Sequence, residues 1–302
     1  MKKTEENRYP HSATLFRFCK EALSLRYEGN VKVIDQDVGA ILGYDPADCS
    51  HWKKGKKNIR ALGTLRSIAD HLSIDERLLI DITSGRIDLD EAVFEFKGYG
   101  TFNLKGRSLE GLKKEFFKNP SRWGGDSAGR SFEEVFDLDR SSILKAVDGI
   151  LVEGNFTEAP LHIPELFNVF PGITLIIQPD AELPYAVEYQ ENGPGGKVTA
   201  KVTCRGPDVR PYLRFLAVKE LFRFLCKTGH KDFLAFSRNP EELLDIQGNV
   251  FAGLLLVPDP LLHKEVIRVD CAKDIVNQLS DVFWVSKSLM NQRLRDFLEH
   301  LG

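Results

Sequence analysis

No Cys-x-x-Cys pair occurs in this chain, and its five cysteines, Cys19, Cys49, Cys204, Cys226 and Cys271, are scattered and odd in number. Neither a thiolate zinc site nor a disulfide framework follows from such spacing, so reduced thiols are expected. No apolar run reaches the roughly 18 residues that a membrane helix needs. The opening stretch, MKKTEENRYPHS, is polar and lacks the apolar centre of a secretion signal. These absences lead to the expectation of a cytoplasmic protein without a membrane partner. Internal repeats and low-complexity tracts are missing too. Residues 119–130 are rich in turn formers and contain Gly124-Gly125, but no Gly-Lys-Ser/Thr follows, which excludes that type of phosphate-cradling loop.

What is present is enough for more than one core. At 302 residues, 42% hydrophobic and 28% charged, the chain reads as two domains or three. We read residues 1–95 as the first domain, 96–140 as a connecting region and 141–302 as the second. The net charge of −3 excludes no partner class, because a basic patch can still be local.

Residues 13–27 carry Leu15, Phe18, Cys19, Ala22 and Leu25 at helical spacing, and Gly29-Asn30 ends the run. Asp35 is expected to cap a second helix, which Gly43 closes. Asp45-Pro46, a cap and a favoured first residue, opens a third helix to Lys53, stopped by Gly55. Residues 64–72 and 75–82 read as two more, the last with an Asp75-Glu76 first turn that suits the helix dipole. Two short helices joined by a tight glycine-containing turn, inside an all-α bundle, make a helix-turn-helix pattern. Charge points the same way. Between Cys49 and Ala69 stand Lys53, Lys54, Lys56, Lys57, Arg60 and Arg66, with no acid. Such a patch is what the backbone of a duplex would meet. Residues 1–95 hold 15 Lys+Arg against 16 Asp+Glu, so any DNA affinity rests on that patch, with dimerisation needed. A solvated basic loop on a bundle used for protein contacts is the alternative.

The residues carry a closer likeness. Gln36-Asp37-Val38-Gly39-Ala40-Ile41-Leu42-Gly43-Tyr44, then Ser50-His51-Trp52-Lys53-Lys54-Gly55-Lys56, resemble the XRE/Cro-type repressor domain. Residues 65–74 resemble that family's fourth helix and turn. The resemblance implies that residues 46–54 form a recognition helix. Ala47, Asp48, Ser50 and His51 would face base edges, and Gln36 would anchor near a phosphate. Lys53, Lys54, Lys56 and Lys57 complete the expected DNA-binding set. The implied partner is a double-stranded operator, bound by a homodimer. Lys53 departs from the family's usual Glu after Trp52. Asp48 would either accept from a cytosine amino group or weaken binding.

In the connecting region, residues 94–104 alternate aromatic and polar side chains and read as a short strand or extended linker. Residues 108–117 read as a helix and 119–130 as a loop. Helices follow at 131–152 and 164–170. Ile173-Thr174-Leu175-Ile176-Ile177 is a β-branched run, hence a buried strand. Strands at 185–189 and 197–203 flank the hairpin loop Asn192-Gly193-Pro194-Gly195-Gly196. Further helices are expected at 211–226, 243–256, 275–283 and 286–298, the last capped by Ser286. The second domain therefore reads as α+β, a small sheet packed on helices.

Within residues 211–226, Lys219 and Arg223 stand four apart and share a helix face, with Glu220 beside Lys219. This is the spacing of His-Glu-x-x-His, in which two histidines hold zinc and the glutamate is the general base. Here both histidine positions carry cations. The stretch Arg214-Phe215-Leu216-Ala217-Val218-Lys219-Glu220-Leu221-Phe222-Arg223, followed by residues 249–258 and 285–294, resembles three motifs of the ImmA/IrrE-type zinc peptidase-like family, in order and in approximate spacing. Members often accompany XRE regulators or are fused to them.

That resemblance implies a metallopeptidase-like fold, helix ligands at Lys219 and Arg223, the base at Glu220 and an acidic third ligand at Asp245 or Gln247. A catalytic zinc needs three protein ligands, and neither an ammonium nor a guanidinium offers a lone pair. We therefore expect no metal, no cofactor and no peptidase activity, with Glu220 vestigial. His230 and His263 lie off ligand spacing. The remaining cleft, Lys219, Glu220, Arg223, Asp245 and Gln247, is expected to be a salt-bridge network, or else to bind a small anionic effector. The chain as a whole then reads as a DNA-binding transcription regulator whose second domain senses a ligand or protein partner, or dimerises. Two other readings stand beside it: a metallopeptidase with unusual ligands, and an interaction module of a phage, toxin–antitoxin or defence system.

Overall fold

The computed structural model describes residues 8–26, 32–72, 74–101, 132–191, 197–206, 209–237, 239 and 241–301. The chain divides into two compact units, Met1–Thr101 and Phe102–Gly302. The expected helix at 108–117 and the expected loops at 119–130 and 192–196 lie outside the described residues.

Among its described residues the first unit is all helix. Helix α1 (Pro10–Arg26) is central and buries Leu15, Phe16, Phe18, Cys19, Ala22 and Leu23. Helices α2 (Asp35–Leu42), α3 (Pro46–Lys53), α4 (Leu62–Leu72), α5 (Glu76–Ser84) and α6 (Leu89–Thr101) follow. Gly43 closes α2 in the left-handed conformation at φ 72°, which costs glycine little. Asp45 then caps α3, accepting from the Ala47 N–H at 2.8 Å. The expected cap at Asp35 is corrected: Ile34 holds the cap position, and the Asp37 carboxylate accepts from the Ile34 N–H at 2.7 Å. Asp35, one residue inside the helix, turns instead to two lysines.

The expected strand or linker at 94–104 is corrected as well, because α6 runs to Thr101. Its start carries a capping box that the sequence reading passed over. The Asp88 N–H donates to Glu91 at 3.0 Å, and the Glu91 N–H donates to Asp88 at 2.9 Å. Leu89, Ala92, Val93 and Phe96 then repeat at helical spacing and pack on the first core. The helical period outweighs the short aromatic alternation because it buries more apolar surface.

The second unit is α+β among its described residues. Helices α7 (Phe132–Glu153) and α8 (Ile163–Asn168) precede strands β1 (Ile173–Gln178), β2 (Tyr185–Glu191) and β3 (Val198–Arg205). The sheet is mixed, in the order β1-β3-β2. β1 runs parallel to β3 with Leu175 opposite Val202, and β2 runs antiparallel to it with Val187 opposite Val202. Helix α9 (Pro211–Lys227), a 3-10 turn (Lys231–Phe236), α10 (Glu241–Leu256), α11 (Asp259–Val266), α12 (Ile275–Phe283) and α13 (Lys287–Leu301) complete the unit. Ser286 caps α13, as expected, by accepting from the Leu289 N–H at 3.2 Å.

Helix α9 is buried over most of its circumference. Phe222 packs against Phe233, Phe236 and Phe251 with ring centroids 5.3–5.7 Å apart. Full burial of such a ring stabilises by about 2–3 kcal/mol. Gly248 brings α10 close to α9: a Cβ there would sit 3.1 Å from Cγ of Lys219 and 3.4 Å from Cδ1 of Phe222. Glycine at 248 thus leaves room for the Lys219 stem between the two helices.

Candidate functional site

The α9–α10 contact holds the charged notch. Lys219 and Glu220 are 9% and 7% exposed, so their charges need partners. Asp245, on α10, supplies one. Its Oδ1 takes Nζ of Lys219 at 2.7 Å and a terminal nitrogen of Arg223 at 2.5 Å. Glu220 lies 3.6 Å from Arg223, and Glu241 stands 3.8 Å from it. Of the two residues considered for the acidic position, only Asp245 meets the cations. Gln247 instead accepts from the Asn239 side-chain amide at 3.1 Å.

The strand β2 completes the cluster, which the sequence reading missed. Tyr189 donates its hydroxyl to Oε1 of Glu220 at 2.6 Å, and Tyr185 donates to the Leu216 carbonyl at 3.3 Å. Lys227 lies 4.1 Å from the Tyr189 ring centroid, a cation–π contact. Two-residue periodicity was the available signal, since positions 185 and 189 share a strand face.

Electrostatics follow from this packing. Burial holds the Lys219 ammonium below its usual pKa, and the hydrogen bond to Asp245 opposes that shift. Burial, and then the bond to Glu220, push the Tyr189 hydroxyl upward. Tyr189 is therefore a donor at neutral pH, and Glu220 has its strong acceptor site occupied. These side chains do not fit zinc: Lys219 and Arg223 are cations without a free lone pair, and the Asp245 carboxylate is turned onto them. Among the described residues, no group of three or more His, Cys, Asp and Glu is placed to hold a metal ion. His230 packs edge-on against Phe170 and Phe233 instead.

In the first unit, α2 and α3 are joined by Gly43-Tyr44-Asp45. Gly39 sits beneath the thiol of Cys49, and a Cβ there would come within 2.8 Å of both Cys49 Sγ and the Tyr44 carbonyl oxygen. Trp52 is fully buried, donates its indole N–H to the Ser12 carbonyl at 2.6 Å, and meets Phe16 edge-on at 5.2 Å. Cys49 and Trp52 thus fix the inner side of α3. Its outer side presents Ala47, Ser50, His51 and, just past the helix, Lys54, all exposed. Gln36 is exposed on α2. Lys53 pairs with Asp35 at 2.5 Å and Lys57 with Asp48 at 2.6 Å, so two of the expected cations and the expected base-reading acid are engaged within the unit. Lys56 is half-buried.

No helix among the described residues is long and apolar enough to cross a membrane. Set against family models, curated proteins and solved structures, the chain matches none of them.

Proposed function

We propose that this chain is a DNA-binding transcription regulator that reads duplex DNA through α3. The observation that carries the reading is the polar outer face of that helix. Ala47, Ser50, His51 and Lys54 recur at i, i+3, i+4 and i+7 and are exposed, while Cys49 and Trp52 hold the opposite side in the core. A short helix docked rigidly by its inner side, behind a three-residue turn, is how helix-turn-helix proteins present side chains to a major groove. The cationic stretch beyond it, through Arg60, supplies phosphate contacts. On this reading the first unit is of the XRE/Cro type and acts as a homodimer on a palindromic operator.

The second unit then serves as an ImmA/IrrE-like pseudo-peptidase that senses an effector or partner, or dimerises. Its support is chemical: Lys219 and Arg223 take the two histidine positions of the His-Glu-x-x-His spacing and share the Asp245 carboxylate. Footprinting on the chain's own promoter region, repeated over a salt series, tests the DNA reading. A protected palindrome whose affinity falls with salt is expected. Absent or salt-independent binding overturns it. Metal analysis tests the second part, and about one tightly held zinc per chain would restore the peptidase alternative.

A further inference from the structure

The basic stretch of the first unit carries its own anions. Asp35, at the start of α2, takes Lys53 from the end of α3 at 2.5 Å through one oxygen and Lys20 from α1 at 2.7 Å through the other. Asp48, in the first turn of α3, takes Lys57 from beyond its end at 2.6 Å. Both acids lie on or beside the helices proposed to meet DNA. None of these side chains is buried: Asp35 and Lys20 are 35% exposed, Lys53 51%, Asp48 47% and Lys57 38%.

We propose that Asp35 and Asp48 are internal competitors of DNA phosphate, holding Lys53 and Lys57 in the free protein and so suppressing binding to non-specific duplex. The proposal rests on the DNA-binding reading and adds a regulation of that same surface. Non-specific affinity comes almost wholly from phosphate neutralisation, each contact adding about 0.9 to the salt slope. A lysine already paired with a carboxylate contributes less of that term. Exposed ion pairs are weak, so a phosphate brought into contact range can displace the carboxylate. Sequence-specific seating of α3 delivers such phosphates in fixed positions, whereas sliding contacts do not. The acids therefore tax non-specific binding more than specific binding. Among the described residues no ion pair engages Lys54 or Arg60, which leaves them for the first encounter. Asp48 is then a lysine-holding residue rather than a reader of cytosine.

The test uses the full chain and a random-sequence duplex of about two helical turns, followed by fluorescence anisotropy across a salt series. Asp48→Asn is expected to tighten binding about three- to tenfold near 0.1 M salt and to steepen the salt slope by about 0.9. Asp35→Asn is expected to act in the same direction. Lys57→Gln is expected to weaken binding less in the natural background, where Asp48 already holds the lysine, than in the Asp48→Asn background, where it cancels the gain. Circular dichroism establishes that each variant is folded, and the Asp48 cycle stands alone if Asp35→Asn is not. Wild-type affinity and slope in Asp48→Asn overturn the proposal, as does an equal loss from Lys57→Gln in both backgrounds. Measurable wild-type binding with either result leaves the DNA reading in place. Failure of every variant to bind any duplex overturns the DNA reading and the proposal with it.

Discussion

Oδ1 of Asp245 lies 2.7 Å from Nζ of Lys219. The same oxygen serves Arg223, so one carboxylate of α10 bridges two cations of α9. Removing it takes the carboxylate from the buried Lys219 ammonium, while Arg223 keeps Glu220 at 3.6 Å and Glu241 at 3.8 Å. Asp245→Ala is expected to destabilise the second unit by about 1.5–3 kcal/mol. That is below the roughly 3–5 kcal/mol of a fully buried broken pair, because the Asp245 side chain is 41% exposed and solvent screens the orphaned ammonium. Calorimetry on the full chain reads this as a lowered transition of that unit. An unchanged transition would mean that the network contributes nothing.

The α2–α3 pairing depends on a missing side chain. A Cβ at Gly39 would lie 2.8 Å from the Tyr44 carbonyl oxygen as well as from the Cys49 thiol. The thiol can rotate, but the backbone oxygen belongs to the connecting turn and cannot. Gly39→Ala is therefore expected to cost the first unit about 1–3 kcal/mol, through overpacking rather than through helix propensity, which favours alanine. Thermal melting checks the sign. A stabilised variant would show that the turn yields freely.

Much of this architecture was legible, and the exceptions have physical causes. Asp45, Gly43 and Ser286 announced their helix ends because a cap acts on residues two to four positions away. The run to α6 was misread because residues 94–96 alternate like a strand, while the Asp88–Glu91 box that starts the helix lies upstream. In the cluster, Lys219, Glu220 and Arg223 were found by helical spacing alone. Asp245 could not be told from Gln247, since both lie on α10 and only the packing of α10 on α9 decides which one meets the cations. Tyr189 reaches Glu220 from a strand some thirty positions upstream. The strand period puts Tyr185 and Tyr189 on one face, but it does not report which helix side chain that face meets. Lys20 and Asp35 likewise are brought together only by the fold of α1 onto α2.

Acid should act on the first unit partly through Asp35. Hydrogen bonds from Lys20 and then Lys53 hold its carboxyl below the ordinary value of 3.8. A group whose folded pKa is depressed contributes stability above its unfolded pKa and loses it as pH falls through the folded one. The first unit should therefore lose this contribution below about pH 4. Asp35→Asn is expected to be slightly less stable at neutral pH and to show a shallower acid limb. Parallel acid limbs for the two proteins, measured by circular dichroism, would remove Asp35 from the account.

If Lys219 and Arg223 occupy former ligand positions, the site should be recoverable. They lie four apart on one helix face, with the Asp245 carboxylate within 2.7 Å of both charged groups. Two imidazoles at those positions and one carboxylate opposite would make a three-ligand zinc set with an open fourth position. Histidine is shorter than either cation, so Asp245 must follow the metal toward α9. Its half-exposed side chain leaves it free to do so. The combined Lys219→His and Arg223→His variant is expected to retain about one zinc per chain, while the natural chain treated identically retains none. Zinc should raise the variant's thermal transition, a chelator should reverse this, and affinity should fall below about pH 6 as the imidazoles protonate. A folded, zinc-free variant would count against descent from a metal site. The ion-pair role of Asp245 would survive that result, because the Asp245→Ala measurement tests it without any metal. Zinc binding without peptidase activity would be informative too. It would locate the remaining defect at Glu220, whose Oε1 is already occupied by the Tyr189 hydroxyl at 2.6 Å. Adding Tyr189→Phe should then free that oxygen for a metal-bound water.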